Sequence, residues 1–166
     1  MKDKLSELNQ MSHEAFVDAL GWVFEDSPWV AQKTWMKRPF ANVTSLHQTM
    51  IKVVQKASLD QQLALIRAHP DLATKVKMSA SSVQEQAAAG LDQLTSEECD
   101  RFHFLNQAYK DKFDFPFIIA VKNHTKESIL KAFDTRLKNP LEEELKLSLS
   151  EITQIAWFRL LEIRIT

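Results

Sequence analysis

Two glycines and one cysteine are all that this chain of 166 residues holds of either type. That scarcity excludes whole classes of function. Dinucleotide fingerprints and phosphate-binding P-loops need glycine-rich turns that bring backbone close to phosphate, and Gly21 and Gly90 cannot build one. Cys99, being alone, can neither close an internal disulfide nor supply a cysteine zinc cluster, which fits a reducing compartment. His13, His47, His103 and His124 show no metal-ligand spacing such as H-E-x-x-H, so no metal is expected. No G-x-S-x-G elbow is present either. The formal net charge is −1 with no block of like charge, which leaves out the electrostatic footprint of a nucleic-acid binder. No apolar run approaches the roughly 20 residues that cross a bilayer. The opening M-K-D-K-L-S-E-L-N-Q lacks the apolar stretch of a signal peptide, and the closing Arg164-Ile165-Thr166 is no peroxisomal tripeptide. The expectation is a protein of a bacterial cytoplasm, with no membrane and no nucleic acid among its partners.

What is present is helical periodicity. Hydrophobic residues make up 45 % and charged residues 26 %, ordinary for a globular protein, and the length suits one domain spanning 1–166. Phe16, Leu20, Val23 and Phe24 mark a helix entered at Ser12. Ser27-Pro28 opens a second, since proline suits a first helical position. Leu46, Met50, Val53 and Val54 give a third, with Ser45 and Gln48 spaced as a capping box. Ser58 and Gln61 repeat that spacing ahead of a helix carrying Leu59, Leu63 and Ile66. Ser82 and Glu85 repeat it again before an alanine-rich helix that stops at Gly90. Thr95 and Glu98 open a long helix bearing Cys99, Phe102, Leu105, Tyr109 and Phe113. Thr125 starts another, with Ile129, Leu130, Phe133 and Leu137 inward, ended by Asn139-Pro140. A last helix runs from about Leu141. Phe115 to Val121, F-P-F-I-I-A-V, is apolar throughout and broken by proline; its pattern suits a buried extended segment or a short buried helix equally. The chain is predicted to be all-α, a single compact domain of roughly eight helices.

His69 stands before Pro70 and Asp71. Proline drives the preceding residue to extended geometry, so the helix from Leu59 is predicted to stop at His69. An imidazole at a helix C-terminus meets partial negative charge that favours its cation, which makes it a candidate proton donor. Capping of the last carbonyls accounts for the same position, and Asp71 can orient the ring or cap a following turn. Glu85 is a candidate carboxylate at a helix N-terminus, although a capping box alone explains its place. Arg159 falls at the edge of the apolar stripe Leu145, Leu149, Ile152, Ala156, Leu160 and Ile163. A guanidinium there must snorkel outward, pair with an internal carboxylate, or meet an anionic ligand.

Six strings in order carry a resemblance over essentially the whole chain. They are A-H-P-D-L-A (68–73), S-x-x-E-Q (82–86) with A-G-L-D (89–92), L-N-x-x-Y-x-x-K-F (105–113), F-P-F-I-I-A-V-K (115–122), R-L-x-N (136–139) and E-I-x-x-I-A-x-x-R-L (151–160). Together they resemble the 2-oxo-4-hydroxy-4-carboxy-5-ureidoimidazoline (OHCU) decarboxylases, which carry out the last step from urate to (S)-allantoin. The resemblance implies an all-helical, cofactor-free enzyme, commonly a homodimer, acting on a small ureidoimidazoline carboxylate. It implies His69 as the catalytic acid, with Glu85 orienting the reacting groups. Pro70, Ser82, Glu85 and Gln86 would contact the substrate. The backbone of Ile118, Ile119, Ala120, Val121 and Lys122 would hydrogen-bond its ring or ureido amides, and Arg159 would hold an anionic or carbonyl oxygen. Asp114 and Asn123 depart from the pattern, standing where family members often have glycine. Two alternatives stay open on the residues themselves: a non-catalytic helical interaction module, and a lyase acting on a related ureido ring acid.

Overall fold

The computed structural model describes residues 3–74 and 78–165. Lys75, Val76 and Lys77, just beyond the His69-Pro70-Asp71 run, lie outside the described residues, as do Met1, Lys2 and Thr166 of the two ends. Among the described residues the regular structure is helical throughout. The helices are α1 (Lys4–Gln10), α2 (His13–Leu20), α3 (Trp29–Trp35), α4 (Val43–Lys56), α5 (Leu59–Arg67), α6 (Ala80–Ala88), α7 (Ser96–Phe113), α8 (Lys126–Arg136) and α9 (Leu141–Glu162). Short 3-10 turns span Gly21–Val23 and Val121–Asn123. The all-α expectation is borne out. No helix among the described residues is long and apolar enough to cross a membrane.

The chain divides into two compact units, residues 1–68 with 153–166 and residues 69–152. In the first, α2 packs on α3 and α3 on α4. Its core includes Leu8, Phe16, Leu20, Val30, Leu46, Met50 and Ile66. The polar opening of the chain hides α1, which a mean-hydropathy reading passes over. Asp3 caps it by accepting from Leu5 N–H at 3.3 Å, and Leu5 and Leu8 turn inward. Helix α4 starts earlier than the Ser45–Gln48 spacing predicts. Asn42 is its cap, accepting from Ser45 N–H at 2.8 Å, and Ser45 answers as the third residue of the box. Asparagine is as good a cap as serine, so the competition between neighbouring caps is settled by packing. In α5 the Ser58–Gln61 box stands as predicted, but the buried pair is Leu65 and Ile66, while Leu59 is exposed.

His47 on α4 lies half-buried, with Nε2 2.8 Å from the Thr153 carbonyl and its ring against Trp157. Burial pushes its pKa below the ordinary 6.5, against a smaller upward pull from the Thr153 bond. A histidine lowered in the folded state binds its proton more readily when unfolded. Its contribution to stability is therefore complete above 6.5 and is lost as pH falls through the lowered value. Melting temperature followed against pH should fall less steeply over that window in His47→Gln than in the parent; parallel curves would show that His47 is not responsible.

The second unit packs α7 against α8, and α6 against the 3-10 turn Val121–Asn123. The Thr95–Glu98 capping box of α7 and the Thr125 cap of α8 stand as predicted, with Ser128 completing the latter box. At the end of α6, Gly90 has φ +79°, with its N–H bonded to Ala87 O and the Leu91 N–H to Gln86 O, both at 3.0 Å. That pair of bonds is the Schellman stop that only glycine enters without strain. Asp114 takes the corresponding left-handed position after α7 at φ +63°. An aspartate tolerates it there, so the missing glycine leaves the turn intact. Phe115 to Ala120 then run buried and without helix, from a bend at Phe115 to the extended Ala120, so the short buried helix is not formed there.

Candidate active site

His69 follows directly on Ala68, the C-cap of α5, and is buried. The turn after Pro70 is held by side chains from α6 and α7. Gln86 accepts the Ala73 N–H at 2.9 Å through Oε1 and donates Nε2 to the Asp71 carbonyl at 3.2 Å. Asn106 Nδ2 donates to the Leu72 carbonyl at 2.9 Å, and His103 Nε2 lies 3.1 Å from the Ala73 carbonyl. Lys110 closes the set with a 2.7 Å ion pair to the Asp71 carboxylate. Ala73 sits at φ +58°, a left-handed conformation that costs a β-carbon residue roughly 1–2 kcal/mol. Four side chains on three consecutive residues offset that strain and hold the chain leaving His69-Pro70 in one conformation. Asp71 is thus an anchor to α7 rather than a cap.

Glu85 changes its standing. Helix α6 begins at Ala80, three residues before Val83, and its cap is Ser79, which accepts from Ser82 N–H at 3.2 Å. Ser82 is therefore inside the first turn and buried, and Glu85 lies in the second turn, half-buried. The capping box that explained Glu85 by itself is absent. The signal that misled was the serine run Ser79, Ser81, Ser82, in which each serine is an eligible cap. Glu85 is thereby removed from the capping position and from the helix terminus.

The run from Phe115 to Ala120 lies in the same unit, with its Phe115 and Phe117 rings against Tyr109 of α7. Two of its carbonyls are engaged: Arg136 Nη1 donates to Ile118 O at 2.5 Å, and Asn123 N–H donates to Ala120 O at 3.0 Å. The N–H groups of Ile118, Ile119 and Ala120 meet no acceptor among the described residues, although all three residues are at most 4 % exposed. Buried amides without acceptors are rare, because each forfeits its hydration without replacement. Such N–H groups are able to donate to an oxygen that is not part of the chain. Val121 is buried in the following turn, while Lys122 is exposed.

Beside the run lies a polar cluster whose Tyr109, Arg136 and Asn139 fall in the strings 105–113 and 136–139, while its central Glu144 falls in none. Glu144 is fully buried and accepts from Tyr109 OH at 2.6 Å, Arg136 Nε at 2.8 Å and Asn139 Nδ2 at 2.9 Å. Burial first, then the Glu144 carboxylate, push the Tyr109 phenol well above its ordinary pKa, so it remains the donor. The buried stripe of α9 in this unit is accordingly Glu144 and Ser148 leading to Ile152, whereas Leu145 and Leu149 are only half-buried. A cavity of about 570 Å³ also opens in this unit, among Ala73, Met78, Gln86, Leu91, Cys99 and His103. It includes Gln86 but neither His69 nor Glu85 and is not assigned to them.

Arg159 belongs to the other unit and is 1 % exposed. Its Nη2 meets Glu25 Oε2 at 2.9 Å, and Nη1 donates to the carbonyls of Trp22 at 3.2 Å and Val23 at 3.5 Å. Those carbonyls end the 3-10 turn, where helical partners run out and side-chain donors take over. Of the three fates open to Arg159, pairing with an internal carboxylate is realised, and Glu25 is the partner that sequence periodicity could not name.

A family model for OHCU decarboxylase matches residues 9–161. The chain belongs to the OHCU decarboxylase family. Over 161 residues it is 44 % identical to a 2-oxo-4-hydroxy-4-carboxy-5-ureidoimidazoline decarboxylase of Halalkalicoccus jeotgali, covering 97 % of this chain and 92 % of that one. It is 36 % identical to the protein of the same name from Xenopus laevis, covering 96 % and 93 %. The crystal structure of an (S)-allantoin synthase superposes with a TM-score of 0.75 at 32 % identity, covering 95 % of this chain and 53 % of that one. This chain therefore spans about half of the synthase.

In this chain the second unit holds His69, Pro70, Ser82, Glu85, Gln86 and residues 118–122, whereas Arg159 lies in the first. No group of three or more His, Cys, Asp or Glu side chains suited to an ion occurs among the described residues. The other histidines have packing partners. His13 stands edge-on to Trp35, and His124 Nδ1 lies 2.9 Å from Ser128 Oγ.

Proposed function

We propose that this chain decarboxylates OHCU to (S)-allantoin, the last step from urate, as one cofactor-free helical domain over 1–166. The observation that supports it most is the buried run of acceptor-less amides at Ile118, Ile119 and Ala120. Such a run suits a flat ring bearing carbonyl and carboxylate oxygens, and no helix or turn among the described residues accepts from these three N–H groups.

Decarboxylation needs an electron sink, commonly supplied by a cofactor. This substrate carries its own. The bond from the hydroxyl-bearing ring carbon to the carboxylate breaks and CO₂ leaves. The released pair forms a double bond to the neighbouring ring carbon, and the adjacent C=N pair moves onto nitrogen, which takes up a proton. The neighbouring carbon then receives a proton on one face while the hydroxyl gives its own up and becomes the ring carbonyl. One CO₂ is lost and one proton gained overall. His69 is the proposed donor of the face-selective proton. Glu85 orients the imidazole or the ureido N–H groups, and Pro70 and Ser82 line the substrate. Gln86 acts through the turn it clamps, which carries His69 and Pro70. The main chain from Ile118 to Lys122 grips the ring, and the family resemblance supports a role for Arg159 in holding an anionic or carbonyl oxygen in addition to its pair with Glu25. Tight ground-state binding of the departing carboxylate would not lower the barrier, so the donors belong on oxygens that gain charge.

The reading is tested by generating OHCU in situ from urate with the two preceding enzymes, then following its decay and the chirality of the product. Accelerated decay to (S)-allantoin is expected; decay at the spontaneous rate would return the chain to a non-catalytic module. Glu85→Gln should lower turnover on the order of 100-fold, further than any change in its melting explains. An effect on melting alone would make Glu85 structural. The resemblance also supports a homodimer in a bacterial cytoplasm, and sedimentation at micromolar protein checks the assembly.

A further inference from the structure

The Ile118–Ile119 peptide has a feature its neighbours lack: its carbonyl is bound by a buried cation. Arg136 is 5 % exposed and donates Nη1 to Ile118 O at 2.5 Å. Its Nε is fixed on Glu144 at 2.8 Å, and Nη2 reaches Ser148 Oγ at 3.4 Å and Tyr109 OH at 3.5 Å. The guanidinium lies over the Phe117 ring, 4.3 Å from its centre, and that ring stacks on Phe133 at 3.8 Å. Every edge of the guanidinium is thus committed, and its direction toward Ile118 is set by five other residues.

A trans peptide is planar, with C=O and N–H pointing opposite ways. Fixing the Ile118 carbonyl on Arg136 therefore aims the Ile119 N–H away from the cluster. A cation bonded to the carbonyl also polarises the peptide, so its N–H becomes a stronger donor. We propose that Arg136 is a positioning residue that orients and polarises the Ile118–Ile119 peptide, presenting Ile119 N–H as a preset donor to a substrate oxygen that gains charge as CO₂ leaves. This rests on the reading of the chain as an OHCU decarboxylase and adds a residue that touches no substrate. Glu144, Tyr109 and Ser148 serve it by holding the guanidinium in place. The buried polar stripe of α9 then has a purpose that an apolar stripe could not fulfil.

Arg136→Lys keeps the charge beside Glu144 but loses the planar fork that reaches both Glu144 and Ile118. Its kcat should fall on the order of 10- to 100-fold with KM moving much less, because the lost alignment matters most in the transition state. The double variant Arg136→Met/Glu144→Gln removes both charges together and strands neither; it should show the same kcat loss in a chain that still melts cooperatively. Either folded variant with unchanged kcat overturns the proposal while leaving the decarboxylase reading untouched. Failure of the parent chain to turn over OHCU overturns that reading instead. Independently of any variant, (S)-allantoin added to 15N-labelled parent protein should shift the Ile119 amide resonance. An Ile119 resonance that stays in place at saturating (S)-allantoin overturns the proposal.

Discussion

His69→Ala should lose enzyme-dependent formation of (S)-allantoin while remaining a folded helical protein. Removal of a general acid costs on the order of 10²- to 10⁴-fold in rate. The product that still forms should be racemic, because its proton then comes from water on either ring face. Circular dichroism of the product reports chirality, and far-ultraviolet circular dichroism of the variant reports the fold. The fold should survive because His69 lies outside α5 and the turn beyond it is held by Gln86, Asn106, His103 and Lys110. Full turnover to the (S) enantiomer by this variant would remove His69 from the mechanism.

Glu25→Ala should have the largest effect on stability. It leaves the Arg159 guanidinium, 1 % exposed, without its carboxylate, and breaking one side of a buried ion pair costs about 3–5 kcal/mol. That is a large part of the stability of a domain this size. Chemical denaturation should show the loss as a lower midpoint with an unchanged slope. The double variant Glu25→Gln/Arg159→Gln removes both charges and should regain much of the stability, since a paired absence leaves nothing buried and uncompensated. If Arg159 also grips a substrate oxygen, that double variant stays inactive although it folds. A folded double variant with full activity would confine Arg159 to the ion pair.

Local signals and tertiary placement divide cleanly along this chain. Ser12, Ser58, Thr95 and Thr125 cap the helices predicted to start at them, two of them through the spacings Ser58–Gln61 and Thr95–Glu98. The stop at Gly90 is equally local, because a left-handed residue needs no distant partner. Where several caps compete, as at Asn42 against Ser45 or Ser79 against Ser82, the local signal names the neighbourhood and packing chooses the residue. That choice carried Glu85 from a capping box into the second turn of α6 and altered the chemistry open to it.

By itself the sequence determined an all-helical chain, most helix boundaries, and the order of motifs that places it among the OHCU decarboxylases. It also singled out His69, Glu85 and Arg159, since proline, charge and periodicity are properties of neighbours along the chain. Only the tertiary structure decided which polar groups meet: Glu25 with Arg159, Arg136 with Glu144 and Ile118, and Gln86 with the turn after Pro70. The physical reason is range. Capping and periodicity act within one or two turns of backbone, whereas a buried charge or amide is satisfied by whatever group the packing brings within about 3 Å, however distant in sequence.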